Sequence, residues 1–276
     1  MSTPFQIKIE ENRVLRGNLY PSRNQSRGTL IVCHGFKGFK DWGMFPYIGE
    51  TLAEDLDVIT FNFSFNGVGE QHLDFTELDK FAQNTYAREL EDIDVVVKAV
   101  QMKKLPIDKH MNGDQLFLLG HSRGAGVSLI YSFDHPETVK GVISWNGITN
   151  VDLFTKEQKE EMKQKGISYV YNGRTKQQMP LNVEILEDIQ KNSEKYHILE
   201  RVKSTQTPVV LIQGTKDHDR LIRGSKQLVE NNPDIDWIHI PEGNHTFNAV
   251  HPFQGTTEPL EQAIHETKKF IYFILK

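Results

Sequence analysis

The chain has 276 residues, 38% of them hydrophobic, which suits one large domain or one domain carrying an insertion. A formal net charge of −5 with no basic stripe argues against nucleic-acid binding, and a single cysteine, Cys33, excludes an internal disulfide and suits a reducing compartment. The first ten residues lack the apolar stretch of a secretory signal, and no apolar run approaches the ~18–20 residues that span a bilayer, so the expectation is a soluble cytoplasmic protein.

Residues 5–10 alternate apolar and polar, as a half-buried strand does, and 14–20 read as the hairpin partner. Thr29–Cys33 is a continuous buried strand ended by His34-Gly35. Residues 46–54 form a short helix with Pro46 at its start, and 58–63 another buried strand. Tyr86, Leu90, Ile93, Val97 and Val100 step by three and four, which predicts an amphipathic helix over 85–103. A strand at 115–119 leads into a helix at 125–133. Strands follow at 141–145 and 208–213, then a helix at 221–231, a last strand at Asp236–Ile240 and a closing helix at 257–275. This alternation predicts an α/β fold, a mostly parallel sheet with helices on both faces. There is no internal repeat. One stretch breaks the rhythm: 150–203 is polar and charged, with Lys/Glu runs at 156–165, and lies between two core strands. It reads as an insertion within a single domain of residues 1–276. In such sheets sites form at the carboxyl ends of strands, so the insertion would lie over the site as a cap.

The most informative motif is Gly120-His121-Ser122-Arg123-Gly124, directly after the apolar run 116–119. A serine hydroxyl is a poor nucleophile unless held exposed beside a base. A sharp strand-to-helix turn does this, with flanking glycines letting strand and helix pass closely. The base and its orienting acid should follow in the order Ser, Asp, His, each after a strand. Asp217 lies in the loop after strand 208–213, and His245 lies in the Gly/Asn-rich loop after the last strand. Asp219 competes for the acid role, and His218, His251 and His265 are the nearest rivals to His245; loop position favours Asp217 and His245. Asp217, His218, Asp219 and His245 could also be read as metal ligands, but no H-E-x-x-H or paired-Cys spacing accompanies them. Acyl transfer also needs two backbone N–H donors for the oxyanion. The amide of Arg123, which follows the nucleophile, is one candidate; Phe36, in the loop His34-Gly35-Phe36-Lys37-Gly38, is the other. The Arg123 side chain could bind a substrate carboxylate or pack against a neighbouring loop.

These residues resemble the α/β-hydrolase superfamily, and within it the cinnamoyl/feruloyl esterases, dienelactone-hydrolase-like proteins and prolyl-oligopeptidase-like hydrolases. The resemblance rests on residues 33–38, 61–70, 120–126, 214–217 and 243–247. It implies an eight-stranded sheet with its second strand antiparallel. It also implies Ser122 as nucleophile, His245 as base, Asp217 as acid, and Phe36 and Arg123 as oxyanion donors. Such chains commonly carry Arg-Gly-His-Gly where this one has Asn66-Gly67-Val68-Gly69, and Val-Pro where it has Leu221-Ile222. Neither departure removes a catalytic group.

The expected activity is that of a serine carboxylic-ester hydrolase acting on a small-molecule ester, with no metal or organic cofactor. A small-substrate peptidase or thioesterase with the same triad, and a non-catalytic binding protein of this fold, are the competing readings. A homo-oligomer is compatible with the sequence. Phe154, Tyr169, Tyr171 and Met179 are candidates either for pocket walls or for docking the insertion on the core. Residues 171–175 read as a hairpin or tight turn, with Arg174 at the surface or reaching the pocket.

Overall fold

The central strands are buried along almost their whole length because both faces of their sheet are covered by helices. The computed structural model describes residues 2–70, 74–106 and 111–276. In chain order its elements are β1 (Thr3–Glu10), β2 (Arg13–Tyr20), β3 (Thr29–Cys33), α1 (Phe45–Leu52), β4 (Asp57–Asn62), α2 (Leu78–Ala82) and α3 (Tyr86–Gln101). Then come β5 (Leu116–His121), α4 (Arg123–Asp134), β6 (Val139–Trp145), α5 (Lys156–Lys165), β7 (Ile167–Asn172), β8 (Gln177–Asn182), α6 (Glu184–Lys191) and α7 (Ile198–Arg201). A 3-10 turn, Val202–Ser204, precedes β9 (Val209–Gly214), α8 (Asp219–Asn231), β10 (Asp236–Ile240) and α9 (Glu258–Ile274).

Eight strands form one sheet in the order β1-β2-β4-β3-β5-β6-β9-β10. Only β2 runs against its neighbours; the other pairs are parallel. The pleat sends alternate side chains to opposite faces. Leu30 and Val32 enter the core shared with α1 and α9, whereas Ile31 and Cys33 enter the core shared with α3, α4 and α8.

Strand order reverses at β3. The chain leaves β3 for β4 on one side and returns to β5 on the other. The loops after β3 and β5 therefore diverge and leave a crevice at the carboxyl edge, where ligands bind in open α/β sheets. Those loops carry Phe36 and Ser122.

The 150–203 segment folds into α5, the two-stranded sheet β7–β8, α6, α7 and the 3-10 turn. The hairpin read at 171–175 is the β7–β8 connection. Helix α5 starts in a capping box, with the Thr155 hydroxyl accepting from the Gln158 N–H and the Gln158 side chain accepting from the Thr155 N–H. Met179 is fully buried and Phe154 packs against the same core, so both dock the segment; Tyr169 and Tyr171 are about half exposed. The segment is also tied by hydrogen bonds. Asp188 of α6 accepts from the N–H groups of Tyr86 and Ala87 at the start of α3, at 2.9 and 3.3 Å. Its other oxygen accepts from Tyr196 Oη and Asn192 Nδ2. Orphan N–H groups at a helix start are thus capped by a residue about a hundred positions away.

Asp188→Ala is expected to lower stability by about 1–2 kcal/mol, the usual cost of losing a helix cap. Urea unfolding of the variant against the parent chain checks this; an unchanged midpoint would refute the anchoring role.

Candidate active site

Ser122 sits between β5 and α4 with φ 57° and ψ −117°, a backbone conformation that a non-glycine residue adopts only under constraint. Its N–H donates to Trp145 O at 2.9 Å, and its carbonyl accepts from the N–H groups of Ala125 and Ile148. Two glycines make the turn possible. A Cβ on Gly120 would lie 2.3 Å from Ala125 Cα, and one on Gly124 would lie 2.3 Å from Cys33 O. Neither position has room for a side chain. The Ser122 hydroxyl makes no hydrogen bond among the described residues, to His245 or to any other. Such bonds commonly tighten only when substrate is bound.

Asp217 and His245 are brought together. His245 Nδ1 lies 2.7 Å from Asp217 Oδ1, and the Asp217 side chain is fully buried. Asp217 Oδ1 also accepts from the His218 N–H at 2.8 Å, and Oδ2 from Gln213 Nε2 at 3.0 Å. Burial alone would raise the Asp217 carboxyl; the hydrogen bonds and charge from His245, with those from Gln213 and His218, outweigh it and hold it below the usual carboxylate range. Asp219 instead opens α8 and is exposed. The remaining histidine rivals have other surroundings. His251 packs against Trp42 and Phe39 and accepts from the Gly43 N–H, and His265 is exposed on α9. One nitrogen or oxygen ligand atom from each of Asp217, His218 and His245 lies within 4.8 Å of the others, so a cation could reach them; within this group His245 Nδ1 and Asp217 Oδ1 are bonded directly to each other.

The loop after β3 passes against the serine: a Cβ on Gly35 would stand 3.0 Å from Ser122 Cβ. The backbone N–H groups of Phe36 and Arg123 make no hydrogen bond among the described residues. His34, inside that loop, donates from Nδ1 to Gly35 O at 2.9 Å and accepts the Phe63 N–H at Nε2, which fixes its tautomer. The Arg123 guanidinium turns away to packing: Nε donates to Glu89 at 2.9 Å and the group stacks on Tyr86 at 3.9 Å. The side chain packs, but chiefly on helix α3 rather than on a neighbouring loop, whose Phe36 ring lies 5.6 Å away. Arg174 lies across Phe39 and Phe75 at the docking face of the hairpin.

Three residues near the site escaped the sequence reading. Gln213 orients Asp217 and is itself held by Trp237 Nε1 at 3.1 Å; its signal was a polar residue ending an apolar strand. His121 donates from Nε2 to His245 O at 2.7 Å. Asn146, at the end of β6, bonds to the loops of both Asp217 and His245.

Comparison with known proteins follows the same outline. A family model described as alpha/beta hydrolase fold matches residues 28–169. No curated protein matches the sequence. Among solved structures, Est1E from Butyrivibrio proteoclasticus superposes with a TM-score of 0.70 at 16% identity, covering 99% of this chain and 98% of that one. A dienelactone hydrolase from Anabaena variabilis gives 0.59 at 16%, covering 100% and 99%. A monoacylglycerol lipase from Paleococcus ferrophilus gives 0.66 at 16%, covering 95% and 98%. Among the described residues no helix is long and apolar enough to cross a membrane.

Burial pushes His34 down to about 4 and His121 to about 3. Both values lie below the ordinary 6.5, so the unfolded chain takes up these protons first. The stability contributed by the neutral rings is complete above about pH 6.5 and drains as pH falls towards the folded values. Between pH 7 and 5 each ring should cost about 2 kcal/mol. Urea unfolding at both pH values should show a drop smaller by about that amount in His121→Gln than in the parent; equal drops would refute the buried neutral state.

Proposed function

The chain belongs to the alpha/beta hydrolase fold family, and from that premise we propose that it is a serine hydrolase cleaving carboxylic esters through an acyl-enzyme on Ser122. The observation that carries this reading is the 2.7 Å bond between His245 and a buried Asp217, at the edge of the sheet where Ser122 stands on a strained turn. Asp217 accepts from Nδ1–H of His245, which leaves Nε2 of the neutral ring as the base. That nitrogen takes the Ser122 proton as the oxygen attacks the ester carbonyl. The unpaired N–H groups of Phe36 and Arg123 hold the oxyanion, the latter at the start of α4 where the helix dipole favours negative charge. His245 then protonates the departing alcohol. Water, deprotonated by His245 in turn, attacks the acyl group and frees Ser122. None of these steps calls on a metal or organic cofactor.

The 150–203 segment acts in this reading as a cap over the crevice, admitting a small-molecule ester. Lys37, in the loop that carries Phe36, donates from Nζ to Tyr171 O at 3.1 Å, which joins that loop to the hairpin.

Hydrolysis of p-nitrophenyl esters from acetate to octanoate, together with a hydroxycinnamate ester, is the expected activity. It should vanish in Ser122→Ala, and a fluorophosphonate should label the parent at Ser122. Asp217→Asn should lose about 10⁴-fold in kcat, the loss seen when the acid of such a triad is neutralised, whereas Asp219→Asn should retain most activity. A folded protein that takes no fluorophosphonate at Ser122 would end this reading. Equal losses in the two Asp variants would end the acid assignment.

A further inference from the structure

Asn146 is fully buried and follows directly on β6. Its φ of 47° lies in the left-handed region, which asparagine tolerates better than most residues. Its N–H donates to Ile212 O at 3.1 Å, joining it to β9. The side chain then spans two loops. Oδ1 accepts the Gly214 N–H at 2.9 Å, at the root of the loop that carries Asp217. Nδ2 donates to His245 O at 2.9 Å and to Asn244 O at 3.3 Å, in the loop that carries His245. These partners fix which end of the amide is oxygen, because one is a donor and the others are acceptors. A second donor, His121 Nε2, meets the same His245 carbonyl at 2.7 Å.

Resting on the triad reading above, we propose that Asn146 is a positioning residue: its amide locks the loops of Asp217 and His245 together and, with His121, sets the His245 ring relative to Ser122. The geometry suits this role. Both triad loops leave neighbouring strand ends, β9 and β10, but β10 is the edge strand and has no partner on its outer side among the described residues. The His245 loop therefore depends on bonds reaching inward over the sheet edge. Asn146 and His121 supply three of them, from the end of β6 and from β5. A carboxylate at 146 would keep the acceptor for Gly214 but turn an oxygen towards the carbonyls of Asn244 and His245. Glycine would keep the backbone conformation and lose all three side-chain bonds.

The test compares N146G and N146D with the parent chain. Three readouts are taken: the fluorophosphonate labelling rate at Ser122, kcat and KM on an ester that the parent cleaves, and the deshielded proton NMR signal of the His245–Asp217 bond. The expected result is folded variants that label about 10²-fold more slowly, as a displacement of about 1 Å can cause. Their kcat falls while KM holds, and the proton signal moves upfield or is lost, most in N146D. Folded variants with parental labelling and an unmoved signal would overturn the proposal. If neither variant folds, Asn146 is a determinant of the fold and the assignment to the site is overturned. If the parent itself takes no label while the signal still moves in N146D, the hydrolase reading falls and the clamp stands.

Discussion

The arrangement depends on one close passage: the first turn of α4 lies against the carbonyl end of β3. Gly124 touches the backbone of Cys33 and His34, and a single added carbon there would meet Cys33 O at 2.3 Å. This contact brings the loop of Phe36 beside Ser122. It also forces the chain to reverse direction within one residue, and Ser122 takes up the strain. Unfavourable backbone geometry of this sort costs about 1–3 kcal/mol and persists only when its surroundings over-determine it. Here the N–H of Ser122 is fixed to β6 and its carbonyl is shared by Ala125 and Ile148. Parallel pairing of β5 with both β3 and β6 holds the two ends of the passage at constant separation.

A site built at the end of a sheet has buried backbone groups that the ladder no longer pairs. An unpaired buried polar group costs about 1–3 kcal/mol, so each needs a partner. His34, His121 and Asn146 supply such partners, while Gln213 pairs the side chains of Asp217 and Trp237; His34, Asn146 and Gln213 each use two ring or amide atoms that point in different directions. His34 can serve here only if neutral, because its Nε2 accepts the Phe63 N–H and a protonated ring has lost its acceptor. Burial keeps His34 and His121 in that form. Low solvent access therefore strengthens the bonds and also preserves the tautomers on which they depend.

How much of this was legible in the sequence follows from the range of each interaction. Ser122 stood out because a strand, a glycine-flanked turn and a helix are adjacent in the chain, and their geometry is local. Thr29–Cys33 and Asp236–Ile240 were read to the residue, since an apolar strand bounded by turn residues carries its own limits. Helices α4 and α8 begin two residues earlier than read, because Arg123 and Asp219 are polar residues lying before the apolar pattern starts. Helix α2 was missed: five residues are too few to show a period, and it is held by contacts of Phe81 with Phe36 and Phe75. Asn146 and Asp188 were invisible for a different reason. An asparagine ending an apolar strand and an aspartate on a charged helix are unremarkable until strand order and docking bring their partners within reach.

The two halves of the crevice differ in what can disturb them. His245 and Asp217 are referred to the sheet itself, through Gln213 on β9, His121 on β5 and Asn146 at the end of β6. The loop of Phe36 is referred to the sheet on one side only, through His34 and Asn62; Lys40 N–H donates to Asn62 Oδ1 at 2.7 Å. On its other side it meets the hairpin through Lys37 and Tyr171. The hairpin belongs to a segment joined to the core by two crossings of the chain, at either end of 150–203, and by side-chain contacts. Rearrangement of that segment would act first on the Phe36 loop, leaving the histidine–carboxylate pair where the sheet holds it. On the proposed reading of the site, a substrate that shifts the hairpin would thus retune oxyanion stabilisation before it altered the base.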